Sequence, residues 1–117
     1  MDLTEILMKL KDITGIDAYQ DICTDENAER YITYIYQDER PVLHGNNMVL
    51  ADRCEIYVNL YTPVNFDYFE LKKKIRDYLE ISGFEITSIF TGVEAYDQDT
   101  KKIRRTTFDC AYAAFRD

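Results

Sequence analysis

The sequence predicts an α+β domain because its hydrophobic period changes along the chain. Residues 53–62 (RCEIYVNLYT) alternate between apolar and other side chains, which is typical of a strand buried on one face. Residues 66–83 then follow a helical spacing, and residues 84–92 and 106–115 return to a period of two. With a further strand upstream and an N-terminal helix, we expect the order αββαββ. The expected architecture is a four-stranded, largely antiparallel sheet with helices packed on one face.

The N-terminal helix is predicted over residues 3–14. Its apolar residues recur at spacings of three and four and form a one-sided stripe: Leu3, Ile6, Leu7, Leu10 and Ile13. Asp2 and Glu5 have the spacing of a capping box, and Gly15 is typical of a helix end. Residues 16–30 are mixed in character, and their polar part, 24–30 (TDENAER), could hold a short helical turn.

The first strand is predicted over residues 31–37 (YITYIYQ), which are rich in β-branched and aromatic side chains. The segment 38–52 that follows contains Pro41 and the breaker run 45–47, yet apolar residues flank this run on both sides. These residues are Val42, Leu43, Met48, Val49 and Leu50. Two conformations fit the pattern: a protruding hairpin whose apolar residues contact a partner, or a loop that folds back onto its own core.

The central helix is expected to begin after Pro63, where Asp67 and Glu70 form a second capping-box pattern, and to end at Gly83. Its predicted buried stripe is Phe69, Ile75, Tyr78 and Leu79. A turn within residues 95–102 then joins the last two strands. The final strand has one apolar face and one small or polar face, as in a sheet with helices on one side.

The length and charge of the chain limit what it is expected to do. At 117 residues it has the length of one domain, which we expect to span residues 1–117. Its formal net charge is −8, from 14 basic and 22 acidic residues, which disfavours specific nucleic-acid binding. The basic residues cluster on the central helix and at the start of the last strand, where the cluster is Lys101, Lys102, Arg104 and Arg105. Both clusters fit either ordinary solvated surfaces or a charged surface that meets a partner.

The cysteines indicate free thiols. Cys23, Cys54 and Cys110 form no CxxC pair, and their odd number is typical of a reducing compartment. Cys54 and Cys110 fall on the apolar faces of their strands, where a thiol acts as a small hydrophobic group. The first residues are amphipathic and acidic, so we expect no signal peptide, and no apolar stretch has the length of a membrane span. We therefore expect a soluble protein that is cytoplasmic where it is made.

No motif in the sequence predicts catalysis. His44 is the only histidine, and no partner stands at a recognisable spacing from it. Asp97, Asp99 and Glu94 offer oxygen ligands, but their spacing fits no EF-hand loop, and aspartates are common in turns. The four glycines are scattered, and neither of the two serines has the setting of a nucleophile. We therefore expect no enzymatic activity, no catalytic residue, no metal and no cofactor.

The succession of local patterns is similar to one family. It consists of YITYIYQ (31–37), a long excursion, ADRCEIYVNLYT (51–62), LKKKIRDYLEISGFEI (71–86) and GVEAYDQDTKKIRRTTFDCAYAAF (92–115). This succession resembles the small tail-completion proteins of long-tailed bacteriophages and prophages, a group that includes the lambda-type tail terminators. The resemblance covers residues 30–116 and depends on element order, a strand ending in LYT, a helix ending in SGF and a closing strand after a charged turn.

The resemblance implies a non-enzymatic structural protein of the virion. In that family, subunits assemble into a ring, typically a hexamer, that caps the tail tube and joins it to the head connector. The implied partners are further copies of the chain, the tail-tube protein and the head-connector protein, with no membrane. The implied location is the tail or neck of the virion, after assembly in the host cytoplasm. No active-site residue follows from the resemblance, because the family acts through shape and contact.

A ring needs two different complementary surfaces on each subunit. We expect one surface on the excursion and the other on the first strand, as an edge that extends the sheet into a neighbour. The predicted interface residues are Val42, Leu43, Met48 and Val49 in the excursion, and Tyr31, Thr33 and Ile35 in the strand.

Three other functions stay open at this stage. A head-completion or neck protein of the same virion would have a similar size and symmetry, and binding to the portal rather than to the tail tube would identify it. A cytoplasmic α/β module that binds a small ligand or a regulatory partner would show a deep apolar pocket between helix and sheet. An enzyme would need a cluster of titratable groups in a cleft.

Overall fold

A computed structural model describes residues 3–25, 28–45, 48–95 and 102–115. The elements follow the chain in the order α1 (Leu3–Met8), α2 (Leu10–Thr14), β1 (Ala18–Gln20), β2 (Tyr31–Gly45), β3 (Met48–Pro63), α3 (Phe69–Ile81), β4 (Glu85–Ala95) and β5 (Lys102–Phe115). The strands form one sheet in the order β1-β2-β3-β5-β4. The predicted α+β class is confirmed.

The sheet differs from the prediction in having five strands and mixed direction. β1 pairs in parallel with β2, with Ala18 opposite Ile32 and Gln20 opposite Tyr34. A strand of three residues in a segment of mixed character is too short to show a hydrophobic period, so the sequence does not predict it. The other pairs, β2 with β3, β3 with β5 and β4 with β5, are antiparallel as expected.

The final strand lies between the two strands that precede it. Because β5 is antiparallel to both β3 and β4, these two strands run in the same direction and α3 connects them across one face. The sheet therefore ends at β4 on one side and at β1 and the rest of β2 on the other. This order depends on long-range pairing and is not visible in the local sequence pattern.

The helices differ from the prediction at their ends. The predicted helix 3–14 is two segments separated at Lys9, and the second ends at Gly15 in a left-handed conformation. α3 begins at Phe69 rather than 66, and the Asp67 carboxylate accepts a hydrogen bond from the Phe69 N–H at 3.1 Å. Gly83 has a φ of 100° and ends α3 as predicted. The positive φ favours glycine at this position, and a Cβ there would lie 3.3 Å from the Tyr112 ring, a tight contact that a small shift of the ring would relieve.

The core lies between the helices and one face of the sheet. The predicted alternation in β3 is confirmed, because Cys54, Ile56, Val58 and Leu60 are all buried in one cluster. The same cluster contains helix residues Leu7, Leu10, Ile75 and Leu79 and strand residues Ile32, Phe108 and Cys110. The Tyr78 hydroxyl donates to the Ile6 carbonyl at 2.7 Å and ties α3 to α1. Phe69, predicted to be buried, is instead 66% exposed.

Three strands, β2, β3 and β5, are much longer than the helices that cover them. α3 has 13 residues and is therefore about 20 Å long, at about 1.5 Å per residue. β3 has 16 residues and extends over about 53 Å, at about 3.3 Å per residue. The whole molecule measures 58 × 27 × 24 Å. Much of the sheet consequently lies beyond the helices.

We expect Leu60→Ala to destabilise the fold by about 2–5 kcal/mol, because Leu60 is fully buried and its truncation leaves a cavity in the core. Urea unfolding followed by circular dichroism measures this change. Ile81→Ala is the matched control, since Ile81 is 85% exposed and its truncation should change stability by no more than about 0.5 kcal/mol. Equal unfolding midpoints for the two variants would contradict the assignment of the core.

Candidate interaction surfaces

The excursion 38–52 is a hairpin. The β2–β3 ladder runs from Tyr31 opposite Tyr61 to Gly45 opposite Met48. Of the two conformations that the sequence allows, the structure therefore has the hairpin. We call its outer part, residues 38–45 of β2 and 48–53 of β3, the arm. β5 pairs with the arm only at its base, where Phe115 stands opposite Ala51 and Ala113 opposite Arg53.

The arm exposes apolar as well as charged side chains. Met48, at the end of the ladder, is 63% exposed, and Val49 is half-buried. The predicted interface residues Val42 and Leu43 belong to β2, but their side chains lie outside the part of the chain that the structure describes. Tyr36 lies just before the arm begins. Its hydroxyl is hydrogen-bonded to the Thr4 hydroxyl of α1 at 3.2 Å, so α1 reaches β2 at this point.

Charges surround the base of the arm. Arg40 forms an ion pair with Asp38, and its guanidinium holds the pKa of the Asp38 carboxyl below its usual value. Arg53 pairs with Glu85 on β4 at 3.2 Å. A shallow depression of about 260 Å³ lies beside the ion pair, lined by Tyr36, Gln37, Asp38, Glu39 and Cys54. The depression lies at the bulge between Tyr36 and Asp38, and all its lining residues belong to β2 and β3. It is therefore not a pocket between the helices and the sheet.

The prediction that the strand 31–36 is a free edge is wrong. β1 occupies that edge opposite Ile32, Thr33 and Tyr34, and the Asp21 N–H donates to the Tyr34 carbonyl at 3.0 Å. Because the backbone of this part of β2 is already hydrogen-bonded to β1, it cannot pair with a strand of another subunit. Beyond β1, from Ile35 towards the arm, no described strand pairs with the outer edge of β2.

The side chains of Tyr31, Thr33 and Ile35 lie on the face of the sheet opposite the core. We call this the uncovered face, because the described helices pack on the other side. Tyr31 stacks on Tyr61 with ring centroids 4.5 Å apart. Ile35 stands opposite Tyr57 and both are half-buried. The uncovered face therefore presents aromatic surface from two neighbouring strands.

A row of hydrogen-bonded polar side chains crosses the uncovered face. The Asn59 amide donates to the Thr33 hydroxyl at 3.3 Å and accepts from the Thr107 hydroxyl at 2.7 Å. All three residues are at most 5% exposed. Because each side chain satisfies its neighbour, the row fixes the register of three strands without helix cover.

The predicted basic cluster is not a single surface. Arg104 lies over the Tyr68 ring, with its guanidinium carbon 4.7 Å from the centroid, and donates to the Phe66 carbonyl. Arg105 points to the opposite face and pairs with Glu94 at 2.8 Å. Lys102 is exposed, and Lys101 lies outside the described residues. The alternation of side chains along β5 separates the two arginines.

β4 forms the far edge of the sheet, a surface that the sequence pattern alone does not indicate. It pairs with β5 on one side, and no other described strand pairs with it. Phe90 is 48% and Val93 is 56% exposed. The sequence pattern predicts a strand here, but only the position of β5 between β3 and β4 makes that strand an edge.

The described residues show no cluster suited to metal binding or to nucleophilic chemistry. No group of three or more His, Cys, Asp or Glu side chains among them is arranged to hold a metal ion. Asp97, Asp99 and the His44 side chain lie outside the described part of the chain. Burial raises the pKa of the Cys110 thiol to about 12, with Asp109 as a smaller cause. Burial likewise raises the pKa of Cys54, so both thiols stay protonated at neutral pH.

Comparisons with known proteins do not assign the chain to a family. No protein-family model matches the chain, and no curated protein matches it. Within the described residues, no helix is both long and apolar enough to cross a membrane.

We expect one of the three thiols to react rapidly with a thiol reagent in the folded protein and all three after unfolding. Cys23 is partly exposed, whereas Cys54 and Cys110 are buried and have raised pKa values. Colorimetric titration at mildly alkaline pH measures this difference, and Cys23→Ser should remove the rapid phase. A rapid phase that survives in Cys23→Ser would contradict the burial of both strand cysteines.

Proposed function

We propose that the protein is a non-enzymatic subunit of a phage or prophage virion that assembles into a ring, caps the tail tube and joins it to the head connector. The resemblance of residues 30–116 to tail-completion proteins first suggests this role. The observation that carries it is the arm, a hairpin that extends beyond the helices and ends in the exposed Met48. An apolar projection of this kind gains stability when a partner covers it.

The arm and the uncovered face are two different surfaces on one subunit. A contact in which the arm of one copy lies on the uncovered face of the next is heterologous, and contacts of this type close into rings. The Tyr31–Tyr61 stack offers aromatic surface for the apolar part of the arm. The hydrogen-bonded row at Asn59 keeps that face rigid, so that its shape does not need to form on binding.

The charge of the chain fits a ring around a DNA passage. With a formal net charge of −8, the subunit repels phosphate groups, and DNA moving through the ring would not adhere to it. The finished protein would reside in the virion tail or neck after assembly in the host cytoplasm. A head-completion role in the same virion uses the same surfaces, and the two roles differ in whether the ring binds the tail-tube protein or the portal.

Deleting residues 41–48 tests the role of the arm. The deletion joins Arg40 directly to Val49, so that residues 49–52 become the new turn. The ladder from Arg40 opposite Arg53 to Tyr31 opposite Tyr61 and the core cluster keep all their residues. We expect a folded subunit that no longer builds the ring, because the apolar projection is gone. Circular dichroism and urea unfolding verify the fold, and light scattering on a sizing column gives the mass.

Two point variants sharpen the test of the arm. Met48→Ser should weaken ring assembly, whereas Ile81→Ser should not, although Ile81 is the more exposed of the two at 85% against 63%. Binding of the assembled ring to tail-tube protein or to portal protein then separates the two virion roles. A deletion variant that still forms the native ring would rule out the arm as the ring contact.

A further inference from the structure

The two long edges of the sheet differ in how well they are protected from pairing with another chain. Beyond β1, the β2 edge has bulges between Tyr36 and Asp38 and around Leu43, and it carries Pro41 and several charged side chains. Bulges, proline and charge are the usual means by which proteins prevent edge-to-edge association. β4 has one bulge, between Ile86 and Ser88, and pairs regularly with β5 from there to Ala95.

The unprotected part of β4 is residues 88–94 (SIFTGVE). It contains no proline, lysine or arginine, and five of its residues are exposed: Ser88, Phe90, Thr91, Gly92 and Val93. Its one charged residue, Glu94, is already paired with Arg105 at 2.8 Å. Seven residues of strand offer about 23 Å of unpaired backbone, which is enough for a stable ladder with an added strand.

We propose that β4 pairs antiparallel with β4 of a second copy of this chain, with Thr91 opposite Thr91 across a two-fold axis. In this register Phe90 stands opposite Gly92 of the other copy, and both lie on the uncovered face. Gly92 has no atom within 4 Å of the position a Cβ would take, so the space beside it is open for the Phe90 ring. An aromatic side chain over a cross-strand glycine is a stabilising arrangement in sheets.

In the same register, the remaining side chains of the strand also stand opposite compatible partners. On the core side of the sheet, the half-buried Ile89 stands opposite the exposed Val93, which brings two β-branched side chains together. Ser88 stands opposite Glu94, whose charge Arg105 already balances. No like charges meet across the axis. The strand is therefore complementary to itself.

Neighbouring registers are less favourable. Centring the pair on Gly92 places two glycines opposite each other and sets Phe90 against Glu94. Centring it on Phe90 sets Val93 against the bulge that follows Ile86, where the ladder is irregular. The pattern of residues 88–94 thus selects Thr91 as the centre.

This pairing is separate from the ring contact proposed above. It is isologous and uses the β4 edge, whereas the arm contact is heterologous and uses the arm and the part of the uncovered face around Tyr31 and Tyr61 on β2 and β3. The two contacts can form in the same assembly, where β4 pairing would join subunits of two rings. An experiment can therefore disprove either contact without disproving the other.

A cysteine cross-link tests the predicted register in the full-length chain. Residues directly opposite in an antiparallel pair have Cα atoms about 4.5–5.5 Å apart, which is within the range of a disulfide. In a Cys23→Ser background, mild oxidation with copper phenanthroline should convert Thr91→Cys to a covalent dimer on non-reducing gels. Val93→Cys is the matched control, because the two Val93 positions are offset by four residues, or about 13 Å, in this register.

Two results would overturn the pairing. The first is a Thr91→Cys protein that does not cross-link at any concentration, even where light scattering shows large assemblies; the arm contact would then stand alone. The second is equal cross-linking at Val93 and Thr91, which would show random collision instead of one register. A cross-linked Thr91→Cys dimer without any larger assembly would support the pairing and contradict the ring.

A charge placed on the edge gives an independent measurement. Val93→Lys introduces two lysines into one dimer and should raise its dissociation constant by about tenfold or more, measured by analytical ultracentrifugation. Ile81→Lys makes the same change at an exposed position away from β4 and should leave the dissociation constant unchanged. Equal dissociation constants for Val93→Lys and the unaltered protein would overturn the proposal, provided that circular dichroism shows both to be folded.

Discussion

The mismatch in length between strand and helix determines most of what this molecule exposes. β3 has 16 residues and α3 has 13, but a strand advances about twice as far per residue as a helix. On the side of β3 that faces the helices, Ile56, Val58, Leu60 and Thr62 are fully buried, whereas Met48 at the far end of the strand is 63% exposed. The arm follows from this mismatch, because β2 and β3 continue to pair after helix cover ends. The uncovered face has a different origin, since all described helices pack on one side of the sheet.

The parts of the fold that the sequence predicts are those in which a hydrophobic period extends over many residues. The core cluster takes every second residue of β3 from Cys54 to Leu60, and Phe108 and Cys110 have the same spacing in β5. Ile75 and Leu79 share the buried side of α3, so each element could be recognised locally. β1 was missed because its three residues cannot show a period. The separation of Arg104 and Arg105 follows from strand alternation alone and was open to prediction. The order of strands was not, since nothing near β4 indicates that β5 pairs on its inner side.

The candidate surfaces also differ in whether the local sequence or only the strand order reveals them. Apolar residues on both sides of the turn at 45–47 predicted an excursion, and the structure shows a hairpin with Met48 exposed. Within the free edge predicted at residues 31–36, β1 occupies the positions opposite Ile32, Thr33 and Tyr34, and the sequence did not reveal this strand. The long edge that carries little charge and no proline is β4. This composition can be read from the sequence, but only the strand order shows that it belongs to an edge. In the account proposed here, the arm makes a head-to-tail contact and β4 a two-fold contact.

Assembly into a ring can be tested by the solution mass of the unaltered protein, from light scattering on a sizing column over a wide concentration series. Negative-stain imaging of the largest species would accompany it. We expect a closed ring with a central hole, whose mass is a multiple of the subunit mass of 13.8 kDa and does not grow further with concentration. A mass that stays at one or two subunits at every concentration would contradict assembly into a ring.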